Sequence, residues 1–154
     1  MCAPWPGPGR AGDPKLGDNS QPGGDYGLEG AAIGYRWSDA KGLKPLCPFG
    51  YGQSYSSFAL SGLSAKAAGK GLSVGFAVRN TGKRAGAEVA QIYVAPADGG
   101  WEAPKRLGAF PKVMLKPGKT GKVTVSVDPR LLATSDSASQ TWTAAAGDYN
   151  VLLA

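Results

Sequence analysis

The stretch from Gly34 to Phe58, GYRWSDAKGLKPLCPFGYGQSYSSF, decides how the rest of this 154-residue chain is interpreted. Six of its residues are aromatic, and its glycines and prolines come in short groups rather than in a repeat. Tyr35 and Trp37 alternate with polar neighbours, which predicts a half-buried strand over residues 31–37. The following Asp-Ala-Lys-Gly predicts a tight turn in which Gly42 takes a positive φ. An aromatic-rich linker between two strands fits the same pattern, so periodicity alone leaves both readings open.

From Tyr55 onward the pattern is that of an all-β domain. Apolar and polar residues alternate cleanly in the second and fifth of its apolar segments, as they do in strands with one buried face. About seven strands at this spacing are typical of an antiparallel β-sandwich. The predicted strands are 54–60, 72–79, 88–95, 106–115, 123–127, 140–145 and 149–153.

Four local signals refine this prediction. Residues 88–95 carry apolar side chains on both faces, which predicts a single central strand. Pro111 predicts an edge position or a bulge, because proline has no N–H for a sheet ladder. Asp128 followed by Pro129 predicts a short helical turn with Asp128 as its N-cap. Tyr149 resembles the tyrosine of a β-sandwich corner, which is a structural role.

The ordered string of residues in and after the opening stretch resembles the C-terminal part of the family 3 glycoside hydrolases. In that family a similar segment closes the middle α/β domain and leads into a fibronectin type III-like domain. The resemblance covers roughly residues 26–154, while Ser38, Cys47 and Gln53 depart from the family pattern. It is carried by Glu29-Gly30, Gly34-Tyr35-Arg36-Trp37, Asp39, Pro45-Leu46, Pro48-Phe49-Gly50, Gly52, Ser54-Tyr55, Phe58, Asn80-Thr81-Gly82, Gly86, Glu88-Val89, Gln91-Ile92-Tyr93-Val94, Pro104-Lys105-Arg106-Leu107 and Leu115-Lys116-Pro117-Gly118.

Together the pattern and the resemblance predict three parts of the chain. Residues 1–24 hold six Gly and five Pro with little apolar surface, which predicts a disordered arm. Residues 25–54 would be the C-terminal remnant of an α/β domain with a linker. Residues 55–154 would be a fibronectin type III-like, immunoglobulin-like antiparallel β-sandwich.

Composition narrows the function classes. The net charge is +6, with the cations clustered in turns; solvated turns explain them, and no nucleic-acid-binding module accompanies them. No apolar run approaches the roughly 20 residues that span a bilayer, and the N-terminus has no signal-peptide pattern, although the parent family is often periplasmic or secreted. Cys2 and Cys47 are expected to be thiols rather than a disulfide. We therefore expect neither a nucleic-acid nor a membrane partner.

Catalytic and metal-binding chemistry has few candidate residues. Histidine is absent, which removes the usual general base and most zinc sites. Glycoside hydrolysis needs two carboxylates about 5 to 10 Å apart, and Glu29 with Asp39 is the only pair worth naming. The resemblance implies that the nucleophile and the acid/base lie upstream of the segment seen here, so no catalytic, cofactor or metal residue is assigned. The isolated chain is then expected to be inactive.

The sequence therefore predicts a C-terminal accessory domain of a family 3 glycoside hydrolase, similar to a β-glucosidase or β-xylosidase. Its expected partners are the missing upstream catalytic domains and a carbohydrate, and the chain would be a fragment or a truncated product. The alternatives are a freestanding glycan- or protein-binding module and a small autonomous hydrolase. Candidate glycan or interdomain contacts are Tyr35, Arg36, Trp37 and Trp101. Trp101 fits a sugar-stacking platform or, as the competing reading, a residue that covers the end of the sandwich.

Overall fold

The computed structural model describes residues 33–52, 54–69 and 71–154. The predicted disordered arm, Cys2 and Glu29 lie outside these residues. The chain divides between Tyr51 and Gly52 into two compact units. The elements are α1 (Tyr35–Ala40), β1 (Phe58–Ala68), β2 (Gly71–Asn80), β3 (Gly86–Val89), β4 (Ile92–Pro96), β5 (Arg106–Ala109), β6 (Lys112–Leu115), β7 (Thr120–Val127), a 3₁₀ helix (Pro129–Leu132), β8 (Ala133–Asp136), β9 (Thr141–Ala144) and β10 (Tyr149–Leu153).

The described part of the first unit is a helical turn and an extended loop, so the strand predicted over residues 31–37 is wrong for residues 35–37, which are helical; residues 31 and 32 lie outside the described residues. Ser38 N donates to the Gly34 carbonyl at 3.2 Å, which opens the helix in place of a strand ladder. Gly42 ends it with a φ of 63°, as predicted, a conformation that glycine adopts without steric cost. The Tyr35 ring packs on the ring of Phe49, with 5.7 Å between centroids. The loop after α1 thus places Phe49 against Tyr35, a residue that alternation alone assigns to a strand.

The second unit is the predicted all-β sandwich. Its sheets have the orders β1-β2-β7, β10-β4-β5, β3-β6 and β8-β9, and every recorded strand pair is antiparallel. The fully buried core comes from alternate residues of β2, β4 and β7, which face one another between the first two sheets. These residues are Val74, Phe76, Val78, Ile92, Val94 and Val127.

The segment 88–95 is two strands rather than the single central strand predicted. Residues 86–89 pair with β6, whereas residues 92–96 pair with β5 and β10. The partner segment 106–115 breaks at the same level, where Ala90 N donates to the carbonyl of Pro111 at 3.2 Å. The two segments therefore form one ribbon that bends at Pro111 and passes from one sheet to the other. The predicted interruption at Pro111 and the central position of residues 92–94 are both confirmed.

The 3₁₀ helix begins where the sequence predicts. Asp128 is its N-cap, and an oxygen of its carboxylate accepts a hydrogen bond from Arg130 N at 2.9 Å. Strand β8 precedes the predicted strand 140–145, which is seen as β9. The hairpin that these two strands form is one element that the seven-strand prediction lacks.

Candidate functional site

Asn80 is the single polar side chain among the fully buried residues of the described chain, with 0% exposure. Its amide nitrogen donates to the carbonyls of Arg84 and Leu115 at 2.8 and 2.9 Å. Its amide oxygen accepts from Ser56 Oγ at 2.7 Å and from Gly82 N at 2.9 Å. All four positions of the amide are therefore occupied, although Ser56 Oγ shares its single hydrogen with the Arg84 carbonyl at 2.8 Å, and these contacts join the end of β2 to β6 and to the segment before β1.

Two basic turns meet beside Asn80. The Asn80 carbonyl accepts from Gly118 N, and Asn80 N donates to the carbonyl of Lys119, each at 3.0 Å. These turns carry exposed cations that the sequence places in turns between strands, namely Lys83, Arg84, Lys116 and Lys119. The backbone geometry explains why the chain turns here without requiring any ligand for the charges.

A second polar cluster lies where the loop after β4 returns to β5. The Arg106 guanidinium is held by both carboxylate oxygens of Glu102, at 3.1 and 2.7 Å, and only 11% of the Arg106 side chain is exposed. It also donates to the carbonyls of Leu131 and Ala133 at 3.0 and 2.7 Å. One buried cation thus fastens the loop to the 3₁₀ helix and to β8. Bidentate, charge-assisted bonds of this kind are among the stronger polar contacts in proteins.

Trp101 belongs to this cluster. The Arg106 guanidinium carbon lies 4.1 Å from the centroid of the Trp101 ring, which is a cation–π contact. The Tyr149 ring lies 6.0 Å from the same indole, and the indole packs against the hydrophobic core. The Tyr149 hydroxyl donates to the carbonyl of Ala145 at 2.7 Å, in agreement with the structural role predicted for this tyrosine. This geometry gives Trp101 a packing role; whether it also contacts a glycan stays a prediction.

The other predicted contact residues, Tyr35, Arg36 and Trp37, are consecutive on α1. They lie in the first unit, and Trp101 lies in the second. No residue of α1 is buried. The candidate carboxylate Asp39 is also on α1, whereas its proposed companion Glu29 lies outside the described residues.

The carboxylates of the second unit stabilise local structure. Hydrogen bonds from the Arg130 side chain and backbone lower the pKa of Asp128 below its usual value, and the same pairing raises the pKa of Arg130. Hydrogen bonds from the Ser139 hydroxyl and from Ala138 N lower the pKa of Asp136. Both carboxylates are therefore ionised at neutral pH and complete a turn or a helix end, which is the opposite of a general acid with a raised pKa.

Within residues 33–52, 54–69 and 71–154, no three His, Cys, Asp or Glu side chains come together as a metal site would require. No helix in the same residues is long and apolar enough to cross a membrane.

Asn80 and Arg106 are part of the family resemblance, but the sequence does not predict which segments of the chain their side chains join. The signal for Asn80 is an Asn at the end of an alternating strand, two residues before Gly82. For Arg106, the signal was an Arg four residues after Glu102. Neither local pattern indicates burial, which depends on elements distant in sequence.

Comparison with known proteins identifies relatives that share this architecture. The profile of the fibronectin type III-like domain matches residues 88–154. The chain is 41% identical over 139 residues to the probable β-glucosidase I of Aspergillus fumigatus, covering 83% of this chain and 16% of that protein. It is 39% identical over 129 residues to the exo-α-(1→6)-L-arabinopyranosidase of Bifidobacterium breve, covering 82% of this chain and 17% of that protein.

A solved structure gives the same result in three dimensions. The β-glucosidase of Streptomyces venezuelae, crystallised with D-glucose, superposes with a TM-score of 0.77 at 40% identity, over 82% of this chain and 16% of that one. The chain spans only 16 to 19% of the length of the first curated relatives that it matches. The chain matches the C-terminal region of the family 3 glycoside hydrolases, and its β-sandwich is the fibronectin type III-like accessory domain of that region.

Proposed function

We propose that this chain braces the upstream catalytic domains of a family 3 enzyme that hydrolyses O-glycosidic bonds, and that it has no hydrolytic activity alone. One observation carries the proposal. More than four fifths of the chain aligns with a region that makes up about one sixth of each relative, and in this structure most of that region is a sandwich with its own core.

The carboxylates support a bracing role. Asp128 caps the 3₁₀ helix, Asp136 caps the turn between β8 and β9, and Glu102 neutralises the buried Arg106. Catalysis by a carboxylate pair needs one group held neutral and the other ionised across a cleft. The side chains of Asp128, Asp136 and Glu102 instead bind residues two to four positions away in the sequence.

The choice of sugar is assigned to the upstream domains. A protein named as a β-glucosidase and one named as an arabinopyranosidase match this chain at nearly equal identity. A region that tolerates both names at the same similarity carries little information about substrate. We assign Tyr35, Arg36, Trp37 and Trp101 to interdomain contact or to packing rather than to sugar selection.

The proposal is tested with a chimera of the Streptomyces venezuelae β-glucosidase in which the matched part of this chain replaces the corresponding C-terminal region. We expect the chimera to hydrolyse an aryl β-glucoside, while the enzyme without any C-terminal region is inactive or aggregates. The isolated 154-residue chain should release no product above buffer. An inactive chimera, or turnover by the isolated chain that Asp39→Asn abolishes, would refute the proposal.

Trp142 favours a second candidate, the freestanding glycan-binding module. Its side chain is 73% exposed on β9, in a two-stranded hairpin whose four β9 residues are all exposed. An exposed indole can stack on a sugar face, because its ring is flat, apolar and accessible. Titration of the isolated chain with cello-oligosaccharides, followed by tryptophan fluorescence, tests this candidate, with Trp142→Ala as the control.

A further inference from the structure

The outward side of the bent ribbon formed by β3–β4 and β5–β6 carries a cluster of exposed apolar side chains, here called the apolar face. Met114 is 71% exposed and Phe110 is 66% exposed, and Val89 and Leu152 are each at least 40% exposed. The register places Val89 opposite Lys112, so Phe110 and Met114 are its two diagonal neighbours across the ribbon. Leu152 lies on β10, the strand that pairs with β4, and it is opposite Tyr93.

The sandwich does not use these side chains. Alternate residues of the same strands point inward and pack on the core, namely Ala90, Ile92, Val113, Leu115, Val151 and Leu153. The strands are thus apolar on both faces, although only one face has a core to cover. Contiguous exposed apolar surface on a folded domain marks an interaction site.

The opposite side of the sandwich provides the contrast. The outward positions of β2 and β7 are Ser73, Gly75, Ala77, Arg79, Thr120, Lys122, Thr124 and Ser126, paired across the ladder. These residues are small, hydroxylated or charged, as expected of a face in water. No large apolar side chain occupies these outward positions of β2 and β7.

We propose that the apolar face docks on the catalytic domains of the enzyme, an inference that rests on the function proposed above. More than four fifths of each matched relative lies outside the aligned region, and interfaces between domains of one chain commonly bury about 600–1,500 Å². An interface of this kind has an apolar centre depleted in Lys, Glu and Asp. Val89, Phe110 and Met114 beside one lysine fit such a centre.

Charge argues against a second copy of the chain as the occupant. Lys112 is the one charged residue among the outward positions 87, 89, 110, 112 and 114 of β3, β6 and the bend. A two-fold dimer presents the same patch on both sides, so it would bring Lys112 near its own copy with no carboxylate from this face to balance it. The partner surface is instead apolar with an acidic residue facing Lys112.

The test uses the chimeric enzyme and the isolated chain together. Met114→Glu and Phe110→Glu in the chimera should each shorten the half-life of activity on heating about tenfold or more, equivalent to at least roughly 1.4 kcal/mol. Lys112→Glu should act in the same direction. Thr124→Glu and Ser126→Glu, on the polar side, should change the half-life less than about twofold, within the usual range for surface substitutions.

The isolated chain separates docking from folding. None of the five substitutions should shift its urea midpoint, because all five positions already face solvent there. Two results would overturn the proposal: equal effects of the two sets of variants in the chimera, or a lowered midpoint of isolated Met114→Glu, which would show that this chain covers its own apolar face. A wild-type dimer that Met114→Glu dissociates would assign the face to a second copy instead. Failure of the proposed function looks different, because the unsubstituted chimera would then be inactive.

Discussion

Replacement of Asn80 by Asp tests the buried amide without creating a cavity. The two side chains have nearly the same shape, so Ser56 Oγ and Gly82 N keep an acceptor. The nitrogen that donates to Arg84 and Leu115 becomes an oxygen that faces their two carbonyl oxygens. The Leu115 carbonyl loses this donor, the Arg84 carbonyl keeps Ser56 Oγ as an alternative donor, and an anion is placed at a fully buried position.

The magnitude follows from these losses. A buried group without a hydrogen-bond partner costs about 1–3 kcal/mol, and an uncompensated buried charge costs about 3–5 kcal/mol. The two donors that remain offset part of this sum, so we expect a net loss of about 3–5 kcal/mol at pH 7. With a urea m-value of about 2 kcal/mol/M, the unfolding midpoint falls by about 2 M.

The loss should depend on pH in one direction. A carboxyl beside two carbonyl oxygens has a folded-state pKa above its unfolded value of about 3.9. The charge penalty is therefore absent below that unfolded pKa and grows by about 1.4 kcal/mol per pH unit until the folded pKa is reached. The neutral acid can donate to one of the two carbonyls, so the gap from wild type should be smaller at pH 4 than at pH 7.

Urea unfolding followed by tryptophan fluorescence at pH 4, 5.5 and 7 measures both effects. Asn150→Asp is the matched control, because Asn150 is exposed on β10, and its midpoint should stay within about 0.3 M of wild type, the size of a surface effect. A midpoint for Asn80→Asp within that same margin, or a gap that does not narrow toward pH 4, would refute the account of Asn80 as a fully bonded buried amide.

Three further predictions concern the same unit. Gly71→Ala should lower the unfolding free energy by about 1–3 kcal/mol, because its Cβ would stand 2.6 Å from a backbone carbonyl oxygen, whereas Gly52→Ala meets nothing within 4 Å and should be neutral. Arg106→Lys keeps the charge but loses the bidentate carboxylate contact, so limited proteolysis should cut the loop over residues 97–105 faster. Arg130→Lys, at a pair whose arginine is 89% exposed, should leave the cleavage rate unchanged. The lowered pKa of Asp128 contributes stability that is present above pH 3.8 and lost as the pH falls through the folded-state pKa, so Asp128→Asn should flatten the acid limb of the thermal midpoint below pH 3.8.

Sequence patterns predict the sandwich because its strands obey a period of two. Val74, Phe76 and Val78 alternate with Gly75 and Ala77 and are buried as expected. A one-residue change of register would send all of these apolar side chains into water, so such a pattern allows few alternatives. The local N-cap at Asp128 is similarly determined within three residues.

The sequence predictions that are wrong concern segments whose structure depends on residues distant in sequence. Tyr35 and Trp37 alternate like strand residues, but three positions of alternation cannot exclude a helix of six residues. The contact of Tyr35 with Phe49, which local alternation does not indicate, accompanies the helix. The bend between β3 and β4 depends on Pro111 in the partner segment, about 20 residues away. Strand β8 has no apolar period at all, since Ser135 and Asp136 are exposed.

The polar clusters around Asn80 and Arg106 account for what the apolar core leaves undetermined. Hydrophobic burial is non-directional, so the core residues favour a sandwich without fixing how each loop crosses its ends. Asn80 ties β2, β6 and the segment before β1 together, and Arg106 ties the loop after β4 to the 3₁₀ helix and β8. Each side chain bonds backbone carbonyls of segments distant in sequence, and a displaced loop would leave those buried groups unpaired. The bracing role proposed above requires fixed loops as well as a stable core, and in this chain the directional bonds of Asn80 and Arg106 hold the loops in place.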